Sequence, residues 1–306
     1  MSDVSAFLGA DMNVPLTVAN SVILPIPYER TTSYRQGTER GPAALLAASQ
    51  QVETYDVELK FSPYQQFSIA THSAIANTQI RPVSAEEMLA ITAQTVRELL
   101  AQQKFIVAIG GEHTITAGLV AAYHSMYPLF TVVQVDAHGD LRHSYDGTIH
   151  SHACVMRRIF ELGLPSLPVG IRSICQEEAD LITAHQIPVC WDHDIARDPH
   201  WIQSAIAKIT TRQIYLTIDL DGLSPTLIPG VGTPQPGGLG WYDLLVFIKA
   251  LFQNFEVLGC DLMELCPLSE SVVSEFTAAK LLYKILGYRS CFGMQTIASI
   301  RHPPLL

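Results

Sequence analysis

Short apolar runs alternate with helical patterns along the whole 306-residue chain, and this alternation limits the possible folds more than any other feature. Each run has the length and character of a buried strand. The stretch between the second and third runs carries Ala and Leu at helical spacing, with Ser84 as a candidate N-cap. The runs cover residues 22–26, 67–71, 105–111, 130–136, 167–173, 187–191, 213–219 and 255–261. The pattern predicts an α/β fold with a mainly parallel sheet.

Eight strand and helix units can close as a barrel or lie open as a doubly wound sheet, and both arrangements place ligands beyond the carboxyl ends of strands. No repeat period, low-complexity tract or Ser/Gly-rich linker divides the chain, so we predict one domain over residues 1–306. The Pro/Gly-dense segment 223–240 follows a predicted strand. We interpret it as a shaped active-site loop, because strand and helix patterns continue on both sides.

Composition narrows the class of protein. Hydrophobic residues make up 48% of the chain and charged residues 16%, which indicates a globular protein with a large core. The net charge is -10 and no Lys/Arg cluster is present, which argues against nucleic acid or an anionic membrane as a partner. The six cysteines are scattered, and the sequence shows neither a signal peptide nor an apolar stretch of about 20 residues. These features predict a cytoplasmic protein with reduced thiols.

Acidic residues stand at the ends of two predicted strands. Asp136, His138 and Asp140 occupy alternate positions after an apolar run, so an extended backbone would point all three side chains to one face. Alone, so short a motif is equally consistent with a turn that contains an incidental histidine. The strand "QIYLTID" also ends in paired acids, Asp219 and Asp221, which repel each other unless a cation lies between them. The second instance therefore favours a cation site.

A third strand delivers His113 after a glycine pair that permits a tight turn. A lone histidine in such a place is more often a hydrogen-bonded core residue, but two acidic strand ends nearby favour a ligand. The four carboxylates neutralise the charge of two divalent cations, and the two imidazoles add nitrogen ligands. The lack of thiolates favours hard or borderline ions such as Mn²⁺. We therefore hypothesise a two-metal hydrolytic centre. Its candidate ligands are His113, Asp136, His138, Asp140, Asp219 and Asp221.

The same segments resemble the metal-binding signatures of the ureohydrolases, the family that includes arginase and agmatinase. The resemblance implies an open three-layer αβα fold with a mainly parallel eight-stranded sheet, and assembly as a homo-oligomer, a trimer or a hexamer. It extends over nearly the whole chain. The similar segments are "GGEHT" (110–114), "DAHGD" (136–140), "TIDLDGLSP" (217–225) and residues 27–49, 229–239 and 261–267.

The resemblance also assigns ligands to two ions, usually manganese, although nickel and cobalt accept the same ligand types. One ion would be held by His113, Asp136, Asp140 and Asp219. The other would be held by His138, Asp136, Asp219 and Asp221, so that Asp136 and Asp219 bridge the pair. One departure is Ser224, which stands where family members commonly carry an acid. It is not a ligand position, but it puts loop support or substrate selection in question.

Three residues resemble the family's catalytic groups. Glu264 corresponds to the guanidinium-binding glutamate, and its apolar sequence neighbours argue against an ordinary surface carboxylate. Asp140 would carry a proton from the attacking water to the leaving amine. His152 would shuttle protons or steady the substrate, with His150 as the alternative candidate.

The stretch after the second signature, residues 141–158, is more similar to agmatinases than to arginases. The resemblance therefore implies a hydrolase of linear C–N bonds that converts agmatine to putrescine and urea, as in polyamine biosynthesis. Guanidinobutyrate, other guanidino acids, guanidine and arginine stay open as substrates. Arg142, Arg157 and Arg158 are candidates for binding a carboxylate tail, although surface or interface charges are the simpler interpretation.

Three other classes of protein share some of these features. Binuclear metallophosphoesterases use similar acidic strand ends but add an Asn-His pair, and this dipeptide does not occur in the sequence. Zinc deacetylases of the related fold need one metal, whereas this chain has ligands for two. A non-catalytic metal-binding relative is suggested by Ser224, but the presence of all six candidate ligands argues against it.

Overall fold

The computed structural model describes residues 6–293. Its strands form one open sheet of eight, in the order β2-β1-β3-β8-β7-β4-β5-β6, and every pair is parallel. The open order decides between the two predicted arrangements, and each predicted strand is confirmed. The strands are β1 (Ser21–Ile26), β2 (Ile69–Thr71), β3 (Phe105–Gly110), β4 (Thr131–Val135), β5 (Ser166–Ile171), β6 (Cys190–Trp191), β7 (Gln213–Asp219) and β8 (Glu256–Met263).

Helices cover both faces of this sheet. One apolar core lies between the sheet and α1, α7, α8 and α9, and a second lies between the sheet and α2, α3, α4 and α5. Successive residues of β1 alternate between them, since Ile23 belongs to the first core and Val22 and Leu24 to the second. The three-layer αβα prediction is thus confirmed. The helices are α1 (Gly41–Ser49), α2 (Ala85–Ala101), α3 (Ile115–His124), α4 (Val155–Glu161), α5 (Gln176–His185), α6 (Asp192–Ile195), α7 (Trp201–Ala207), α8 (Trp241–Asn254) and α9 (Val273–Tyr288).

Helix α2 begins where the sequence predicts. The Ser84 hydroxyl oxygen accepts a hydrogen bond of 3.1 Å from the backbone N–H of Glu87, which satisfies one of the free donors of the first turn. Glu86 and Glu87 add negative charge at the positive end of the helix dipole. The helix ends at Ala101, and Gln103 then adopts a left-handed φ of 57°.

All six cysteines are free thiols. Across residues 6–293, none of the helices combines the length and the apolar character needed to cross a bilayer.

The strand order brings distant segments together at one edge of the sheet. Strands β3, β8, β7 and β4 are neighbours in its centre, although β8 comes last in the sequence. Because all are parallel, their carboxyl ends open on the same edge, where ligand sites of open α/β sheets lie. Asp219 is the last residue of β7, and the segments that follow these four strands carry the other candidate ligands and Glu264.

Candidate metal centre

His113 lies at the centre of a buried group of carboxylates. Its Nδ1 atom is 3.0 Å from Oδ2 of Asp140, 3.2 Å from Oδ2 of Asp136 and 3.3 Å from Oδ2 of Asp219. On the other side of the ring, Nε2 is 2.9 Å from the hydroxyl of Thr217. The ring is therefore held with Nδ1 toward the carboxylates, which is the orientation of a metal ligand.

His138 forms a second group beside the first. Its Nδ1 atom is 3.0 Å from Oδ2 of Asp221 and 3.7 Å from Oδ1 of Asp136. Asp136 thus directs one carboxylate oxygen toward each imidazole. Asp219 is tied to the second group, because its Oδ1 accepts a hydrogen bond of 2.9 Å from the backbone N–H of Asp221. The structure brings five of the six candidate ligands into two adjoining donor groups that share Asp136, and Asp219 contacts a member of each group.

The backbone of the second signature departs from the extended form after His138. Strand β4 ends at Val135, and His138 still pairs with Ser173 in an isolated parallel bridge. Asp140 then takes a left-handed φ of 53°, so the extended backbone that would align all three side chains ends before Asp140. A turn, not the strand pleat, brings the Asp140 carboxylate to His113.

Crowding of buried charges perturbs the proton affinities in this cluster. Burial and the neighbouring carboxylates raise the pKa of Asp219 well above its usual value, and burial and Asp136 raise the pKa of Asp140 to about 7. Burial lowers the pKa of His138, but Asp221 and Asp136 outweigh it and raise the value to about 12. Without other cations, bound protons offset part of the negative charge of the cluster.

Two divalent ions fit this donor set. Four carboxylates carry the charge that two such ions neutralise, and the donor atoms are oxygens and imidazole nitrogens, which hard and borderline ions prefer. The side chains of His113, Asp136, Asp140, Asp219 and Asp221 are almost completely buried, so an ion there is held by protein groups.

Glu264 lies beside the cluster, directly after β8. Its Oε1 accepts a hydrogen bond of 2.7 Å from the backbone N–H of His113, while its own N–H donates to the carbonyl of Gly111 at 2.8 Å. The residue is 5% exposed, and burial raises its pKa well above the usual value. Its sequence neighbours therefore predicted its burial correctly.

His152 is held in the wall of the same pocket. Its backbone N–H donates to the hydroxyl of Thr31 at 3.0 Å, and the ring of Tyr145 meets its ring edge-on at 6.1 Å. Its Nε2 atom is buried and has no hydrogen-bond partner among residues 6–293. Burial and His138 lower its pKa to about 4, so the imidazole is neutral near pH 7. The alternative residue, His150, is not among the described residues that line the pocket.

The pocket has a volume of about 220 Å³, and five of the fourteen residues that line it are acids. Arg142 is the one fixed positive charge among the described residues of its wall, and its guanidinium carbon lies 5.1 Å from the centre of the Tyr145 ring. Arg157 and Arg158 instead pair with Glu161 on α4, at 3.1 and 3.0 Å. The acids of the wall are Asp140, Glu178, Asp219, Asp221 and Glu264. The lining favours a cationic ligand.

Ser224 lies away from the pocket wall as the structure describes it. Its hydroxyl is 2.8 Å from the hydroxyl of Thr226, and its N–H donates to the carbonyl of Leu239 at 3.0 Å. These contacts fix the start of the Pro/Gly-dense segment and join it to Leu239 near the end of that segment. A serine at this position is therefore compatible with the cluster.

Several site residues were not predicted from the sequence. The Thr233 hydroxyl lies 3.3 Å from Oδ2 of Asp221, and Gln235 contacts His138. Tyr145 lines the pocket, and Arg172 bonds to the loop that carries Gln235. For Thr233 and Gln235 the sequence signal was the Pro/Gly-dense segment 223–240, which was interpreted as an active-site loop without naming its contact residues. Tyr145 lies in the stretch 141–158 that is similar to agmatinases, and Arg172 had no signal.

Comparison with known proteins agrees with this geometry. A sequence model described as the Arginase family matches residues 19–287. The N(1)-aminopropylagmatine ureohydrolase of Synechocystis sp. is 52% identical over 284 residues, covering 92% of this chain and 93% of the relative. The agmatinase of Pyrococcus horikoshii is 32% identical over 283 residues, covering 90% and 95%.

Solved structures agree on the fold. The agmatine ureohydrolase of Thermoplasma volcanium superposes with a TM-score of 0.83 at 27% sequence identity, covering 96% of this chain and 97% of that one. The predicted family is thereby confirmed by sequence and by fold. This chain belongs to the arginase family, the binuclear-metal hydrolases that act on guanidino C–N bonds.

Proposed function

We propose that this ureohydrolase releases urea from a linear guanidino compound with an amine tail, and that N1-aminopropylagmatine is its preferred substrate. The observation that carries the proposal is one acidic pocket in which the Glu264 carboxylate stands beside the paired His/Asp groups. A guanidinium group is a planar cation with several N–H donors, so a buried carboxylate is a suitable partner for it.

We propose that Glu264 holds the guanidinium group. Its Oε1 is already fixed by the His113 N–H, whereas Oε2 receives no hydrogen bond from residues 6–293. A carboxylate held by one oxygen leaves the other to bind and orient the substrate. Orientation matters, because attack on a resonance-stabilised cation requires the reacting atoms to be held in alignment.

The proposed ligand sets are those implied by the family resemblance, with Asp136 and Asp219 shared by two ions. When bound, two divalent ions supply a nucleophile near neutral pH, because they lower the pKa of water from 15.7 to about 7 in favourable sites. Asp140 is buried with its carboxylate 3.0 Å from His113, and a carboxylate placed in the centre can take up a proton and then release it. We assign the delivery of that proton to the leaving amine to Asp140.

His152 is the second polar group of the reaction in this proposal. It is neutral near pH 7 and carries a buried Nε2 atom without a partner among the described residues. Such an atom is available to accept a hydrogen bond from the substrate or to relay a proton. Its fixed backbone contact with Thr31 keeps the ring in the pocket wall.

The proposal also specifies the tail of the substrate, which is an amine and not a carboxylate. Of the acids in the wall, Glu178 and Glu264 are not proposed ion ligands, and Arg142 is the single fixed cation beside them, which disfavours guanidino acids such as guanidinobutyrate. Agmatine fits the pocket chemistry and is the second candidate, supported by the relatives named agmatinase. N1-aminopropylagmatine ranks first because relatives that are 52%, 33% and 34% identical carry that substrate in their names.

Other parts of the proposal come from the family resemblance. The ions are manganese, and the chain assembles as a trimer or hexamer in the cytoplasm, where it serves polyamine biosynthesis. Residues 1–306 form one ureohydrolase domain, which the single continuous sheet supports.

The test is a urea-release assay on the purified chain loaded with Mn²⁺, Ni²⁺ or Co²⁺. The substrates are N1-aminopropylagmatine, agmatine, arginine, guanidinobutyrate, guanidinopropionate and guanidine. We expect kcat/KM to be highest for N1-aminopropylagmatine and lower for guanidino acids by roughly 100-fold, about 3 kcal/mol of lost tail recognition. A preference for guanidino acids would overturn the proposed tail, and preference for agmatine would reverse the ranking of the two amines.

A further inference from the structure

Two stretches of the loop between β7 and α8 lie against the His138 group. The first, residues 221–223, carries the candidate ligand Asp221. The second, residues 233–238, carries Thr233 and Gln235, which contact Asp221 and His138. Neither stretch is a helix or strand of the sheet, apart from one short 3-10 turn. Their position therefore depends on contacts with the rest of the protein.

Arg172, which follows β5, supplies several of those contacts, beside the backbone bond from Leu239 to Gly222 and the bond from Gly238 to Asp192. Its guanidinium donates hydrogen bonds to carbonyl oxygens of both stretches, and to the end of its own strand. The acceptors are Asp221 at 2.7 Å, Gly222 at 3.3 Å, Leu223 at 3.4 Å, Gln235 at 3.2 Å, Pro236 at 3.0 Å and Gly170 at 3.0 Å. A planar, rigid fork with five N–H donors can hold two backbone segments in a fixed relation.

The fit around Arg172 is close. Gly237 and Gly238 both have left-handed φ values, 91° and 94°. A Cβ atom added at Gly238 would stand 2.8 Å from a terminal nitrogen of Arg172 and 2.7 Å from the carbonyl of Leu223. The glycines thus let the second stretch pass directly over the guanidinium.

The Gln235 side chain reaches the outer edge of the His138 ring. Its carboxamide nitrogen is 3.3 Å from Nε2 of His138, while Nδ1 of the same ring is 3.0 Å from Asp221. A histidine that binds an ion through Nδ1 carries its proton on Nε2, and that N–H needs an acceptor to fix the ring. A half-turn of the carboxamide presents its oxygen there, because the two ends of the amide have nearly the same shape.

We propose that Gln235 and Arg172 are positioning residues for His138. Arg172 holds the two loop stretches, and Gln235 accepts the Nε2 proton of His138 and so keeps Nδ1 directed at the second ion. The inference rests on the proposed two-ion centre, and it concerns only the ion that His138 holds. His113 is positioned separately, through Thr217.

The experiment is a calorimetric titration of Mn²⁺ into the full chain after removal of metal by a chelator. The wild type binds two ions. Gln235→Ala weakens one of them roughly 10- to 100-fold, the range for the loss of a partner that orients a ligand, and leaves the other within about 3-fold. The weakened ion is the one lost in His138→Ala and retained in His113→Ala.

Two further variants separate positioning from a loss of structure. Gln235→Glu restores the weakened ion, because a carboxylate also accepts the Nε2 proton. Arg172→Lys weakens the same ion by about 10-fold, since an ammonium group is a point donor that cannot span both stretches. Gln213→Ala is the matched control, because Gln213 bonds to Glu256 at the opposite end of the sheet.

The proposal is overturned if Gln235→Ala keeps both affinities within about 3-fold of the wild type, or if it weakens both ions equally and Gln235→Glu does not rescue either. A wild type that binds a single ion overturns the inference together with the centre on which it rests. If the proposed function is wrong, the chain still binds two ions but releases no urea from the guanidino compounds.

Discussion

Two site residues adopt backbone conformations that ordinary side chains avoid. Asp140 and Glu264 have φ values of 53° and 66°. Such conformations cost about 1–3 kcal/mol each and persist only where the surroundings enforce them. Here the Asp140 carbonyl accepts from the N–H of Arg157, and the Glu264 N–H donates to Gly111. Local strain is thus placed at the two carboxylates to which we assign substrate binding and proton transfer.

Glu264→Gln tests the guanidinium contact. Glutamine keeps the shape and the acceptor for the His113 N–H but removes the charge. A hydrogen bond to a charged group contributes about 1.5–3 kcal/mol, so we expect kcat/KM for the preferred substrate to fall roughly 10- to 100-fold. Ion content, measured by mass spectrometry, is expected to stay unchanged. Unaltered kcat/KM would show that Glu264 does not bind the guanidinium.

His152→Asn tests the pocket histidine against its neighbour. Loss of the imidazole removes a positioned proton relay, which typically contributes 10²- to 10⁴-fold, so we expect kcat to fall by at least about 100-fold with ions retained. His150→Asn is the matched control and is expected to change kcat by less than about 3-fold. If the effects of the two variants were reversed, the assignment of His152 would be wrong.

Among the elements, helix α9 is anchored by a buried ion network. The Lys284 ammonium is 2.9 Å from Asp56 and 2.6 Å from Glu58, both in the segment after α1, and Lys249 of α8 also reaches Glu58, at 2.9 Å. Side chains of Lys284 and Asp56 are 5% and 2% exposed. The network joins α8 and α9 to the chain that precedes β2.

Lys284→Met leaves the Asp56 carboxylate buried without its cation. Breaking a buried pair from one side costs about 3–5 kcal/mol, and we expect the free energy of unfolding to fall by that amount. Urea denaturation measures it. The control is Lys249→Met, which removes a partly exposed partner of Glu58 and is expected to cost less than about 1 kcal/mol. Equal effects of the two substitutions would contradict a special role for the buried pair.

The same network predicts a pH dependence of stability. Burial raises the pKa of Glu58, but hydrogen bonds from Lys284 and Lys249 outweigh it and lower the value from 4.5 to about 2. A carboxylate whose pKa is depressed by folding stabilises the protein above its unfolded pKa, and this contribution is lost as the pH falls. We expect the free energy of unfolding, measured by urea denaturation, to fall between about pH 4.5 and pH 2. The fall is expected to be smaller in Glu58→Gln than in the wild type. An identical pH profile in that variant would exclude this contribution.

At the scale of the whole molecule, the ion cluster joins the ends of central strands that are far apart in sequence. Its candidate ligands lie at or just after the ends of β3, β4 and β7, and Glu264 follows β8, which lies between β3 and β7. Ions bound there would link both halves of the sheet. Without them, like charges crowd a buried edge, so ion binding should stabilise the entire fold.

Removal of metal is therefore expected to lower the melting temperature. Each ion that binds only the folded chain at 100 times its Kd adds about 2.7 kcal/mol, so two ions add about 5.4 kcal/mol, which corresponds to a shift of roughly 8 °C for a chain of this size. Thermal unfolding with chelator and with added Mn²⁺ measures the shift. Asp219→Ala, which lacks a proposed shared ligand, should show little of it. A wild-type melting temperature that is insensitive to Mn²⁺ would argue against the proposed centre.

The sequence by itself determined the eight strands and the six candidate ligands. Apolar runs and the acids that end them are local patterns, and each can be recognised without knowledge of the rest of the chain. The Ser84 cap and the burial of Glu264 were predicted for the same reason. The left-handed turn at Asp140 was not, because no local signal separates it from continued extension.

Only the tertiary structure decided which ends meet. The insertion of β8 between β3 and β7, which brings Glu264 to His113, comes from pairing between distant strands, and periodicity holds no information about it. The contacts of Arg172 with the loop of Gln235 are equally long-range. Side chains from segments more than 60 residues apart meet at hydrogen-bond distance only after the sheet order and register are set, because burial of the whole core, and no local preference, selects that order.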